Sequence, residues 1–363
     1  MVFRYRIDRA LRTCVMKVIG LLTHRAADEA VNLRRQAIRK ILLVRGIFRL
    51  GDAVLAQPAV ELLRLNFPTA EIDFVGPAVG ARLFGNVVNR YYAIERQFPL
   101  VCWSYFALLR QLRARRYDLA IDISVSSAAM GAALVGFSGA RWRAGLRGRW
   151  DQWFNVRVER PREVNKYQSL LALVLKLGLT GRRRCYPQIT VHRDQLAMAR
   201  KRLEEEIRGC ERKIIGVFVG GRKSRGKRWP KEKFLELAAA LRYVDAEVVF
   251  FVGPEERSLL GFYESILKWR CVVIYEPDVR AFAALVANCD LFVSGDSGPM
   301  HLACALGVRT IALFLKNNMP RWAPPRELAW CVYREPCPSV SDVLEACRSE
   351  LDAIGAQREH AAG

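Results

Sequence analysis

Leu291-Phe292-Val293-Ser294-Gly295-Asp296-Ser297-Gly298-Pro299-Met300-His301-Leu302-Ala303 decides how this chain is read. An apolar run ends in small and acidic residues, and a helical pattern follows at once. Asp296 or Ser297 can cap that helix and Pro299 suits its first turn, so free backbone N–H groups would face an anion with the helix dipole behind them. The stretch reads as a phosphate seat suited to a nucleotide's diphosphate. Taken alone it is also an ordinary strand-to-helix turn with a good cap.

The surrounding pattern repeats that unit. In the first half, residues 40–45 read as a strand, 53–67 as a helix, 70–75 and 117–123 as strands and 166–177 as an apolar helix. In the second half, residues 214–219, 247–252, 272–275, 291–293 and 310–315 read as strands. Helices there begin near Pro230, Arg280 and Pro299. Strands alternating with helices imply an α/β protein with parallel sheets, in which ligands bind beyond the carboxyl ends of the strands. The polar segment at 180–184 is the best candidate for a linker between two such domains.

The chain has 363 residues, 52% of them hydrophobic, enough for two cores. Its formal charge of +22 favours anionic partners: nucleic acid, acidic lipid headgroups or phosphorylated sugars. The ten cysteines show no CxxC pair and no metal-finger spacing, so they read as reduced core residues. No cleavable signal pattern and no uncharged apolar run of spanning length is present, and the expected compartment is the cytoplasm. Residues 1–50 carry twelve Lys or Arg against three acids, with Leu11, Val15, Val18, Ile19 and Leu22 at helical spacing. This is a basic amphipathic helix fit either for an anionic membrane surface or for docking on the protein's own body. Between Arg96 and Arg160, Trp142, Trp150 and Trp153 alternate with arginines, which suits interfacial anchoring or stacking, or a solvated face over buried tryptophans.

Three loops carry chemistry. After the first strand, Gly51 permits a tight turn and Asp52 starts a helix, where a carboxylate is either a general base or an N-cap. After strand 214–219, Gly220-Gly221-Arg222-Lys223-Ser224-Arg225-Gly226-Lys227-Arg228-Trp229-Pro230 crowds five cations. Gly221 to Lys227 fits the first seven places of a Walker A loop, but Arg228 stands where the metal-binding hydroxyl belongs and Pro230 opens the helix, so an NTPase is set aside. After strand 247–252, Glu255 or Glu256 can grip ribose hydroxyls or simply favour a helix start.

In order, Ile41-Leu42-Leu43-Val44-Arg45, Leu50-Gly51-Asp52-Ala53-Val54-Leu55, Pro58-Ala59, Lys227-Arg228-Trp229-Pro230, Gly253-Pro254-Glu255, the opening stretch from Asp296 and Arg321-Trp322-Ala323-Pro324 resemble one glycosyltransferase family. It is the family that includes the ADP-heptose:lipopolysaccharide heptosyltransferases, and the likeness spans roughly residues 39–335. The resemblance implies a GT-B architecture, two Rossmann-like domains whose parallel sheets face a central cleft. It also implies inverting sugar transfer with no required metal and no cofactor. By that likeness Asp52 is the catalytic base, Lys227 contacts the donor phosphate and Glu255 the ribose side. Asp296, Ser297, Gly298, Pro299, Met300 and His301 hold the donor sugar and diphosphate, and Arg49 and Arg147 are acceptor-side candidates.

The expected organisation is a basic extension (1–38), an acceptor-side domain (39–182), a nucleotide-sugar domain (183–340) and a C-terminal helix and tail (341–363). The expected donor is ADP-heptose and the expected acceptor a lipopolysaccharide core or similar anionic glycolipid, with the enzyme cytoplasmic and peripheral at the inner membrane face. Another nucleotide sugar is the first alternative. A nucleic-acid-binding protein is the second, although no recognition pattern for nucleic acid is present. Two departures from the family pattern bear on donor and acceptor contacts: Val219-Gly220-Gly221 replaces a His-Pro-Gly-like run, and Ser124-Val125-Ser126-Ser127 replaces a Gln-Gly type of turn.

Overall fold

The structure, a computed structural model, describes residues 32–47, 49–84, 87–94, 103–125, 129–181, 186–207, 212–221, 226–267 and 271–362. The amphipathic pattern expected within residues 1–31, and the cations Arg222, Lys223 and Arg225, lie outside them. The chain divides into two compact units between Tyr186 and Pro187.

The first unit is one six-stranded parallel sheet in the order β3, β2, β1, β4, β5, β6. Its strands are β1 (Lys40–Val44), β2 (Glu71–Pro77), β3 (Arg90–Ile94), β4 (Leu119–Asp122), β5 (Trp142–Leu146) and β6 (Val156–Val158). The helices are α1 (Leu50–Val54), α2 (Gln57–Asn66), α3 (Ala78–Phe84), α4 (Trp103–Ala114), α5 (Ala129–Phe137) and α6 (Lys166–Leu175). β1 reads KILLV and is buried from its second residue on, as a central parallel strand covered on both faces must be. The single helix expected over 53–67 is two. Chain direction changes at Leu55 and Ala56, and Pro58, which has no N–H to give, sits in the first turn of α2.

The second unit repeats the plan with the order β12, β11, β10, β7, β8, β9. Here the strands are β7 (Lys213–Phe218), β8 (Ala246–Val252), β9 (Val272–Tyr275), β10 (Leu291–Gly295), β11 (Arg309–Phe314) and β12 (Ala329–Tyr333). They alternate with α7 (Arg193–Ile207), α8 (Lys231–Leu241), α9 (Leu260–Leu267), α10 (Val279–Ala287), α11 (Gly298–Ala305), α12 (Met319–Trp322) and α13 (Val340–Ala362). Among the described residues no helix is long and apolar enough to cross a membrane.

In both sheets the strand order reverses beside the first strand, between β1 and β4 and between β7 and β10. Loops leaving these pairs splay to opposite faces and open a crevice at the carboxyl ends, where doubly wound folds hold ligands.

Two packing features fix these ends. Trp229, just before α8, is fully buried, with its indole N–H donating to Pro338 O at 3.0 Å and its ring edge-on to Phe234. It ties the loop after β7 to the segment before α13. In the first unit, Asp122 closes β4 opposite Val44 and accepts from the Ser124 amide at 2.9 Å. A Cβ at Gly131 would lie 2.5 Å from its carboxylate, so only glycine allows α5 to approach this closely. Burial pushes the Asp122 carboxyl up to about 6, against the Ser124 hydrogen bonds and the Arg45 charge, which favour ionisation.

The tryptophans of the Arg-rich stretch are not a binding surface. Trp142, Trp150 and Trp153 are all buried, the last two in a core cluster of the first unit, while Arg141 and Arg149 lie over the Trp142 and Trp150 rings at 5.1 Å each. Large apolar rings are worth more to the core than arginine alternation is to a ligand, and the guanidinium groups roof them.

Truncating Trp229 to Ala is expected to cost about 3–5 kcal/mol, through the cavity and the orphaned Pro338 carbonyl, in chemical denaturation of the second unit's transition. The folded Asp122 carboxyl titrates near 6 and an ordinary aspartate near 3.8, so its contribution to stability is full below pH 3.8 and is lost as pH rises through about 6. Asp122→Asn is therefore expected to melt higher than the native chain at pH 8 and to lose that advantage at pH 4; a constant difference across that range would contradict the assignment.

Candidate functional site

In the first unit, the end of β1 sets Arg45 and Asp52 against each other. Arg45 is almost fully enclosed; its guanidinium donates from Nη1 to Ile123 O at 3.1 Å and from Nη2 to Asp52 Oδ1 at 2.6 Å. A buried arginine and aspartate stabilise one another only in such direct contact, since either charge left alone would be strongly penalised. Asp52 does not cap α1. Arg49 occupies the cap position and its side chain makes no capping bond to the helix, and Asp52 lies within the first turn, 3% exposed. The N-cap alternative therefore fails, and Asp52 Oδ2 accepts no bond from any described residue. Gly46 lets this loop lie on α5, since a Cβ there would come within 2.8 Å of the Gly131 amide nitrogen.

In the second unit, the backbone of Lys227 is wedged between two strand ends. A Cβ at Gly221 would lie 2.7 Å from Lys227 O, and one at Gly295 3.2 Å from it. With the backbone so placed, the Lys227 ammonium reaches the Asp296 carboxylate, which also accepts from Asn318 Nδ2. The same ammonium lies 5.7 Å from the centre of the Trp322 ring, which His301 and Arg321 also approach. Lys227 stands three residues ahead of Pro230, the cap of α8, rather than opening the helix, so the Walker likeness has no geometric counterpart.

The opening stretch behaves partly as expected. β10 runs to Gly295, α11 begins at Gly298 and Pro299 is in its first turn. Neither proposed side chain caps it. Ser297 holds the cap position, but its hydroxyl lies 3.1 Å from Ser294 Oγ, and Asp296 is engaged by Lys227 and Asn318. No side-chain oxygen therefore occupies the first amides of α11, the arrangement that suits an incoming anion. Met300 is fully buried among Cys304, Ala312, Phe314 and Ala329 and supports the turn from beneath, and His301 is buried beside Trp322.

Of the glutamate pair, Glu255 is exposed on the short 3-10 turn after β8, while Glu256 is the carboxylate turned inward. Glu256 accepts from Arg228 Nη2 at 2.8 Å and from the Gly221 amide at 3.4 Å, and burial raises its carboxyl above the ordinary range. Gly220 belongs to the same knot. A Cβ there would strike the Phe218 ring and come within 2.9 Å of Glu256 Cδ, so the departure at 219–221 is a compact glycine turn folded over a buried carboxylate. The cation Arg147 pairs with Glu159 at 3.0 Å on the surface of the first unit, and Arg49 lies at the start of α1. Residue-by-residue reading missed Asn318 and the roles of Arg45 and Trp322, and it left Glu256 level with Glu255. Arg45, Glu256 and Trp322 fell inside motifs already singled out, Asn318 did not, and only contact geometry gives any of the four its partner. Among the described residues no cluster of His, Cys, Asp and Glu is arranged to hold a metal ion.

The chain is similar to several known proteins. Lipopolysaccharide heptosyltransferase 2 of Escherichia coli K12 is 27% identical over 305 residues, covering 78% of this chain and 85% of its own. Lipooligosaccharide heptosyltransferase 2 of Haemophilus influenzae is 26% identical with the same coverage. Among solved structures, a glycosyl transferase family 9 protein of Veillonella parvula aligns with a TM-score of 0.76 at 19% identity, over 86% of this chain and 97% of its own. The Escherichia coli ADP-heptose lps heptosyltransferase II aligns with a TM-score of 0.71 at 23% identity, over 88% and 99%. These place the pair of Rossmann-like units in the GT-B fold class. The family model described as glycosyltransferase family 9 (heptosyltransferase) matches residues 105–349, two thirds of the sequence, and the chain belongs to that family of glycosyltransferases.

Proposed function

We propose that this glycosyltransferase moves a heptose from ADP-heptose to the core of a lipopolysaccharide or similar anionic glycolipid, with inversion at the anomeric carbon. The observation that carries the reading is the Lys227, Asp296 and Asn318 cluster beside the uncapped start of α11, inside the segment the family model matches. Relatives named as heptosyltransferases of lipopolysaccharide and lipooligosaccharide support the acceptor, and the solved relative named for ADP-heptose supports the donor.

On this reading an acceptor hydroxyl attacks the anomeric carbon as the nucleoside diphosphate departs. Asp52 takes the hydroxyl proton on Oδ2, because Oδ1 is held by Arg45 and the guanidinium fixes the plane of the carboxylate. Lys227 and the α11 amides stabilise the charge gathering on the leaving diphosphate. Glu255 lies on the ribose side, Arg49 and Arg147 on the side of the anionic acceptor, and the whole works peripherally at the inner face of the cytoplasmic membrane. The formal charge of +22 supports that last placement, since an anionic leaflet attracts basic protein surface.

The test is release of nucleoside diphosphate from ADP-, GDP- and UDP-sugars, with and without delipidated core oligosaccharide. Release from ADP-heptose is expected only when the oligosaccharide is present. Asp52→Asn should lower kcat by about 10²–10⁴ with little change in KM for the donor. Lys227→Ala should lower kcat/KM by a factor on the order of 10²–10³. Acceptor-independent release, or full turnover in Asp52→Asn, would overturn the assignment.

A further inference from the structure

We propose that Lys316 is a second cation of the donor seat, contacting the diphosphate of the bound nucleotide; this rests on the reading of that seat given above. β11 ends at Phe314, and the segment that follows, Leu315-Lys316-Asn317-Asn318, runs into α12 without a single acidic residue. This stretch and the helix after it already touch the seat: Asn318 donates to Asp296, and Trp322, at the end of α12, faces Lys227 and His301. Lys316 lies against the loop that carries Lys227. A Cβ at Gly226 would be 3.1 Å from Lys316 Cε and 3.3 Å from its Nζ, so the ammonium sits over the residue immediately before Lys227. Gly226 has φ +60°, a left-handed conformation that glycine adopts without strain, and having no side chain it leaves room for that approach.

Charge accounting makes this lysine matter. Lys227 is matched by Asp296 and Arg228 by Glu256, so those four described side chains sum to zero. Lys316 is exposed and has no carboxylate partner among the described residues. A diphosphate brings at least two negative charges, and Lys227 meets it only by sharing or surrendering its contact with Asp296. Lys316 forfeits nothing on meeting it, and it supplies positive charge where the paired groups supply none.

The experiment is calorimetric titration of the full chain with ADP and with adenosine, at low and at moderate salt. Lys316→Ala is expected to weaken ADP binding by about tenfold, to flatten its salt dependence and to leave adenosine binding unchanged. Lys316→Arg should retain most of the ADP affinity. Unchanged ADP affinity in Lys316→Ala, alongside a loss in Lys227→Ala, would overturn the role of Lys316 and leave the function standing. An equal loss of ADP and adenosine would also overturn it, since that pattern reports damage to the seat rather than a missing phosphate contact. Failure of the native chain to bind ADP, GDP or UDP would remove the donor seat itself, a result distinct from either.

Discussion

A charge enclosed by protein has to be matched where it is enclosed, and at the carboxyl ends of both sheets this requirement shapes everything nearby. Arg45 with Asp52, Lys227 with Asp296 and Arg228 with Glu256 are three pairs in which at least one partner is buried. Removing one partner of such a pair typically costs about 3–5 kcal/mol, far more than an exposed ion pair is worth. The backbone around each pair is accordingly drawn in until contact is direct. Glycines at 46, 131, 220, 221 and 295 are where that drawing-in happens, each at a spot where an added Cβ would meet backbone, a ring or a carboxylate. The parallel sheets supply the occasion: only at the reversal of strand order do loops from neighbouring strands leave on opposite faces and open a crevice between them.

Much of this was legible because central parallel strands are long apolar runs bounded by glycine and acid. β1, β7, β8, β10 and β11 could be read within a residue or two. β3, β5, β6 and β12 escaped. The β3 sequence RYYAI is only partly buried and the β5 sequence WRAGL carries an arginine and a glycine, so neither offers a run or a clean alternation. Trp142, Trp150 and Trp153 suggested a surface because arginines flank them, whereas the rings are core and the arginines lie across them. At the site, the quoted motifs name residues but not their partners on other loops. Asn318, outside every motif, lies 22 positions from the carboxylate it holds, and Glu256 is 28 from its arginine. Choosing between Glu255 and Glu256 needs the direction of a 3-10 turn, which composition does not encode.

The two carboxylates at the end of the first sheet show how neighbours of one type come to differ. Asp52 has a guanidinium in direct contact. Asp122, also buried, is bonded to an amide and pressed against glycine backbone, and for it the loss of solvent outweighs the help from Ser124 and Arg45. Environment rather than residue type therefore separates the two: Asp52 is matched by an arginine, and Asp122 serves the packing of β4 on α5.

On the proposed reading, the pairing of Lys227 with Asp296 has a consequence for release as well as binding. A lysine held ready with no partner would grip a diphosphate with a Coulomb attraction of about 4 kcal/mol at contact in a medium of effective dielectric near 20. A lysine already in contact with a carboxylate gains only the difference between two such attractions. The exchange is close to balanced, and the carboxylate stands ready to take the lysine back when product leaves. On the proposed reading this keeps the seat from being inhibited by its own leaving group, while net affinity falls to groups that are not matched in advance: the uncapped amides of α11 and the cation that β11 brings to the same loop. A seat built of a matched pair beside unmatched donors can thus bind a charged nucleotide firmly without making its departure the slow step.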